Sequence, residues 1–116
     1  MECYYLYIAT YYIHEEKNSR SHDLSHFKKI GTTGNIQRRM NSLSGGGTKC
    51  PIKCKAIVSW ESSKDICKQL EKDLMEAFKD FHVDGEWFDD DERLVKFAVK
   101  EINKLIKQGY NIKKLF

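Results

Sequence analysis

The sequence predicts an α/β (α+β) domain in which a small three-stranded antiparallel sheet is flanked by helices, in the order β-β-α-β-α-α. Three observations carry that prediction. Strand-like runs fall at residues 4–13, rich in Tyr and Ile, at 26–31, with Phe27 and Ile30, and at 53–60, ending in Ile, Val and Trp. Apolar residues fall at helical spacing after residues 35, 62 and 89. The first two strand runs are joined by too few residues for a crossover helix, so they pair as antiparallel neighbours.

In the first strand, alternation places Tyr5, Tyr7, Ala9 and Tyr11 on one face and Leu6 and Ile8 on the other. HEEKNSRSHD, residues 14–23, is rich in charge and turn formers. It reads as a loop into a short second strand, HFKKIG, where Phe27, Lys29 and Gly31 share one face. Asn35 is the expected N-cap of a short helix carrying Ile36, Met40 and Leu43, which three glycines at 45–47 stop. KCKAIVSW, residues 53–60, is the third strand. Ser62 followed by Asp65 reads as a capping box for a second helix with the stripe Ile66, Leu70, Leu74, Ala77, Phe78 and Phe81. After the break at Gly85-Glu86-Trp87-Phe88, Asp89 and Glu92 suggest another cap. Leu94, Phe97, Ala98, Ile102, Leu105 and Ile106 then mark a C-terminal helix over about 90–108. Trp87 and Phe88 are expected to plug the core beneath the sheet.

Length and composition bound the function. A chain of 116 residues lies near the commonest domain size, so one domain over 1–116 is expected. With 41% hydrophobic and 32% charged residues it has the balance of a globular domain, not of a disordered or membrane protein. The start MECYYLYIATYYI carries Glu2 and no basic leader, so it reads as a strand rather than a signal peptide. No run approaches the roughly 20 apolar residues of a membrane helix. The expectation is an intracellular protein, cytoplasmic or nuclear, that is not secreted. Cys3, Cys50, Cys54 and Cys67 are dispersed and read as reduced thiols. CPIKC has no second ligand pair at finger spacing, so no structural zinc is expected.

Charge is unevenly distributed. From Leu24 to Trp60 there is no acidic residue, while Lys28, Lys29, Arg38, Arg39, Lys49, Lys53 and Lys55 contribute +7, which leaves the rest of the chain at net −4. Such a segment suits a polyanion, because phosphate neutralisation dominates sequence-independent nucleic-acid affinity. Lys28, Arg38, Lys49, Lys53 and Lys55 are the candidate DNA contacts. Arg39 and Glu71 each lie beside the apolar stripe of a helix, and Lys29 lies within a strand. Charges at the margin of a core are costly unless paired or organised around a ligand. An Arg39–Glu71 salt bridge is the simpler structural account, and a catalytic site is the other.

Taken together, the motifs resemble the GIY-YIG nuclease superfamily, in the phage and viral branch whose second signature reads Lys-Ile-Gly. Tyr5-Leu6-Tyr7 stands at the first signature, and FKKIGTTGNIQRRMNSL carries Lys29-Ile30-Gly31 at the second, with Arg39 at the family arginine. QLEKDLMEAFKDFHVDGEWF matches the third at Glu71 and at the closing Gly85-Glu86-Trp87-Phe88. The matches span about residues 4–88 in the family's order. Tyr5 replaces the glycine of the first signature, Lys29 the tyrosine of the second, and Met75 a histidine that often follows the glutamate.

That resemblance implies a DNA endonuclease. Tyr7 would be the general base, Arg39 the phosphate clamp, and Glu71 the holder of one Mg²⁺ or Mn²⁺ ion per site. A free tyrosine has a pKa of about 10, so Tyr7 needs a neighbouring cation to act as a base, and Lys29 shares its side of the sheet. Specificity is left to the domain, a homodimer or a protein partner. The alternative is a catalytically silent module that binds nucleic acid or protein on the same fold.

Overall fold

Tyr and Ile dominate the first strand, as suits a pleated surface with partners on both sides. The computed structural model describes residues 3–15, 20–44, 52–79, 82–84, 87–89 and 93–115. Strands β1 (Tyr4–Glu15), β2 (Arg20–Thr33) and β3 (Ile52–Ser62) are the long ones. Helix α1 (Ile36–Leu43) lies between β2 and β3, and α2 (Lys64–Ala77) follows β3. Short strands β4 (His82–Asp84) and β5 (Trp87–Asp89), helix α3 (Arg93–Lys107) and the two-residue β6 (Lys113–Lys114) complete the order. All pairings are antiparallel, in the sheet order β4-β5-β2-β1-β3-β6. The expected three-strand sheet is therefore its centre, and three short strands extend its edges.

Two corrections follow from backbone pairing. Most of the loop expected over residues 14–23 is strand, with β1 and β2 paired as far as Glu15↔Arg20. Ladder hydrogen bonds do not need a buried face, so polar residues propagate a hairpin once Tyr11, Tyr12 and Ile13 extend its other arm. The segment around Trp87 and Phe88 is also a strand, which pairs these residues with Lys29 and Lys28 at the edge of β2.

The sheet has two covered faces. Leu6, Ile8, Ile30, Val58 and Trp60 form the main core with Cys67, Leu70, Leu74 and Phe78 from α2 and its C-cap, Leu94, Ala98 and Ile102 from α3, and Ile112. Tyr7, Ala9 and Cys54 form a smaller cluster on the other face, closed by Met40 and Leu43 of α1 and by Ala56. A β-bulge between Ile8 and Ala9 shifts the β3 register from Val58 to Ala56. The extra residue reverses the alternation and turns Ala56 and Cys54 toward the face of Tyr7.

The helix caps show how local signals resolve. Asn35 caps α1 as expected, its Oδ1 accepting from the Arg38 N–H at 3.0 Å. For α2 the cap is Ser63 rather than Ser62, with the Ser63 Oγ accepting from the Ile66 N–H at 3.3 Å. Ser62 is buried and donates its hydroxyl to the Asn111 carbonyl at 2.7 Å, tying the segment after α3 to β3. Asp89 ends β5, and Glu92 lies outside the described residues. Among the described residues, no helix is long and apolar enough to cross a membrane.

Candidate active site

Tyr7 sits on the middle strand, opposite Gly31 of β2 and Ser59 of β3. Directly paired residues share a face of a sheet, so small residues flank the ring on both sides. A Cβ built on Gly31 would meet Tyr7 Cζ at 2.5 Å and Oη closer still. The phenol therefore lies over Gly31, in space that only a glycine leaves open. Tyr7 is 1% exposed.

One rung further along, Ala9 pairs with Lys29, which places Lys29 on the same face as Tyr7 at 5% exposure. Helix α1 closes this face and brings Arg39. The Arg39 side chain is half-buried, and its backbone N–H donates to the Asn35 carbonyl at 3.1 Å. Thr33, Gly34, Asn35, Arg38, Arg39 and Ser42 line a cleft of about 400 Å³ at the start of this helix. Cys54 senses both inner cations: burial pushes its thiol up to about 11, while Lys29 and Arg39 pull it down. Lys29 and Arg39 are thus close enough to a common point to share one electrostatic field.

Glu71 is placed differently. It is half-buried on α2, one turn beyond Cys67. The buried residues of α2 pack against Leu6, Ile8 and Ile30, on the face opposite Tyr7. Tyr7, Lys29 and Arg39 therefore gather on one side of the sheet, whereas the helix that carries Glu71 packs on the other. Among the described residues, no three His, Cys, Asp or Glu side chains cluster together.

The expected DNA contacts also divide. Arg38 and Lys55 are exposed and Lys53 is half-buried, but Lys28 is 2% exposed and drops out of the open basic surface. Strand alternation does not make the difference, since Lys28 and Lys55 both pair with Thr10, from β2 and β3 respectively. Lys49 lies outside the described residues. Tyr4, read as an ordinary strand aromatic, packs on the main core with the Lys64 and Lys68 ammonium groups 5.7 and 5.8 Å from its ring centroid.

One residue escaped sequence reasoning. Ser44, the C-cap of α1, is buried, and its Oγ accepts from the Cys54 N–H at 2.8 Å. A serine before a run of glycines carries no signal of such a partner.

The T5orf172 domain profile matches residues 4–108 of the chain. That domain is associated with nuclease-related phage proteins, which gives a nuclease-like or DNA-binding role. No curated protein and no solved structure matches the chain significantly.

Proposed function

The chain belongs to the T5orf172 domain family, and from that premise we propose that it is a metal-dependent endonuclease hydrolysing phosphodiester bonds in DNA. The observation that carries this reading is the register of β1 on β2. Tyr7 opposite Gly31 and Ala9 opposite Lys29 bring Tyr7, Gly31 and Lys29 onto one face, the face that the helix of Arg39 covers. Phosphodiester hydrolysis needs an activated water and charge neutralisation on the phosphoryl oxygens. Tyr7 takes the proton from water, and Lys29 favours its phenolate form. Arg39 grips the phosphate with the paired donors of its guanidinium, and Arg38, Lys53 and Lys55 hold the flanking backbone.

Glu71 is the proposed ligand of Mg²⁺ or Mn²⁺. A single half-buried carboxylate suits an ion that keeps several waters and completes its shell with substrate phosphate. An ion held there would further neutralise the phosphate and the departing oxygen, and because α2 packs on the face opposite Tyr7 the carboxylate would have to meet that phosphate around an edge of the sheet. The proposal leaves a homodimer or protein partner as a source of specificity.

One observation favours a second reading, a silent DNA-binding module: at 1% exposure the Tyr7 hydroxyl is not offered to solvent. Plasmid incubated with purified protein and Mg²⁺ separates the two. The nuclease reading expects nicking that chelation and Glu71→Ala abolish while DNA binding persists. Binding without cutting establishes the silent module, and undiminished cutting by Glu71→Ala removes Glu71 from the mechanism.

A further inference from the structure

Helix α1 is short, at eight residues, and none of them is fully buried. Its apolar attachment to the sheet consists of half-buried Met40 and Leu43 against Tyr7, Ala9 and Cys54. An amphipathic helix of two turns is marginal without tertiary support. Yet Arg39 must be held to better than an ångström for a guanidinium to meet a phosphate in a reactive geometry.

The support comes from the residue at its end. The Ser44 N–H closes the helix onto the Met40 and Asn41 carbonyls at 3.0 and 3.2 Å. The same residue's Oγ accepts from the Cys54 N–H at 2.8 Å and donates to the Cys54 carbonyl at 3.4 Å. One hydroxyl thereby serves both backbone groups of a single β3 residue. Strand β6 pairs with β3 only at Trp60 and Glu61, well away from Cys54. Ser44 is buried, so water does not readily replace either bond.

We infer that Ser44 is a positioning residue that straps the arginine-bearing helix to β3 and so sets Arg39 beside Lys29 over the Tyr7 face. The inference rests on the proposed role of Arg39 as the phosphate grip. Ser44 touches no reacting atom and acts through the register of α1. The strap also keeps α1 over Cys54, which makes the Cys54 thiol a reporter independent of cleavage.

The test uses the full chain with two readouts: single-turnover DNA cleavage, and alkylation of Cys54 by iodoacetamide at pH 8, resolved by peptide mass spectrometry. Ser44→Ala is expected to slow cleavage about tenfold or more, the smaller end of losses seen when a catalytic group is misplaced by an ångström, with DNA affinity nearly kept. Arg39→Ala added to Ser44→Ala should cost no more than Arg39→Ala alone, because residues acting as one unit are not additive. Cys54 alkylation should accelerate in Ser44→Ala. Unchanged alkylation, or losses that add with Arg39→Ala, overturn the inference. If Ser44→Ala does not fold, Ser44→Thr retains the hydroxyl and should match the wild type in both readouts; wild-type alkylation with cleavage as poor as Arg39→Ala overturns it. If the wild type cuts no DNA, the endonuclease reading fails, and the alkylation comparison still decides the strap.

Discussion

Replacing Gly31 by alanine adds one methyl carbon where Tyr7 already lies. The new Cβ would stand 2.5 Å from Cζ, 3.0 Å from Cε1 and nearer still to Oη, against the roughly 3.5–4.0 Å of a carbon contact. The ring has little room to yield, because Tyr7 is packed among Ala9, Cys54, Ala56, Met40 and Leu43. Overpacking of this kind costs about 1–3 kcal/mol. Opposing it is a gain of about 0.4–1 kcal/mol, because alanine restricts the unfolded chain more than glycine does. Gly31 has no positive φ that would strain an alanine. The net expectation is a loss of about 1–2 kcal/mol, or roughly 4–8 °C in Tm at about 4 °C per kcal/mol for a chain of this size.

A second background isolates the cause. Tyr7→Leu removes Cζ, Cε1 and Oη, so Gly31→Ala on that background should stabilise by about 0.4–1 kcal/mol. The assay is equilibrium urea unfolding of the four proteins, followed by tryptophan fluorescence. Equal effects of Gly31→Ala in both backgrounds would refute the reasoning, since the glycine would then be serving something other than the ring.

Three further outcomes are expected. Tyr7→Phe should slow single-turnover cleavage about 10²-fold with DNA affinity intact, as loss of a general base does, whereas Tyr4→Phe on the opposite face should be nearly silent. A Tyr7→Phe defect confined to binding would make that hydroxyl structural. Changing Lys49, Lys53 and Lys55 together to Glu should weaken binding to all DNA sequences alike and flatten its salt dependence, and an unaltered salt slope counts against a basic DNA face. Burial holds the Cys54 and Cys67 thiols at about 11 against an ordinary 9.0. With the folded pKa above the unfolded one, the stability they contribute is complete below pH 9 and is lost as pH rises toward 11. The urea midpoint should fall across that window, and the fall should be shallower in Cys67→Ala; an unchanged slope excludes the Cys67 thiol as a cause.

The two faces of β1 could be read from Tyr7 and Leu6 alone, because alternation is strict wherever one side is buried. Asn35 was legible as a cap for a similar reason: its short side chain competes for the backbone N–H groups at a helix start. Ser62 and Ser63 were not separable, since both can cap, and only the segment returning after α3 decides which is free to do so. Strict alternation from Val58 would send Cys54 to the main core. The bulge that reverses it has no residue signature in KCKAIVSW, so the partner of Ser44 could not be found from the sequence. Lys28 and Lys29 illustrate the same limit on a smaller scale. Net charge groups them, whereas the pleat turns one toward the face of Ile30 and the other toward that of Tyr7. The shared face of Tyr7 and Lys29 was legible, but the face on which the helix of Glu71 packs depends on a crossing that no local pattern encodes.

The middle position of β1 has a consequence for heating. Amides of a strand bonded on both sides exchange only by near-global opening, while a two-turn surface helix with no buried residue opens at far lower free energy. Tyr7 and Arg39 therefore belong to the most and the least protected parts of one site. Any activity that requires both should disappear well before the fluorescence of Trp60 reports unfolding. On cooling it should return at once, because the sheet that holds the tyrosine has never come apart.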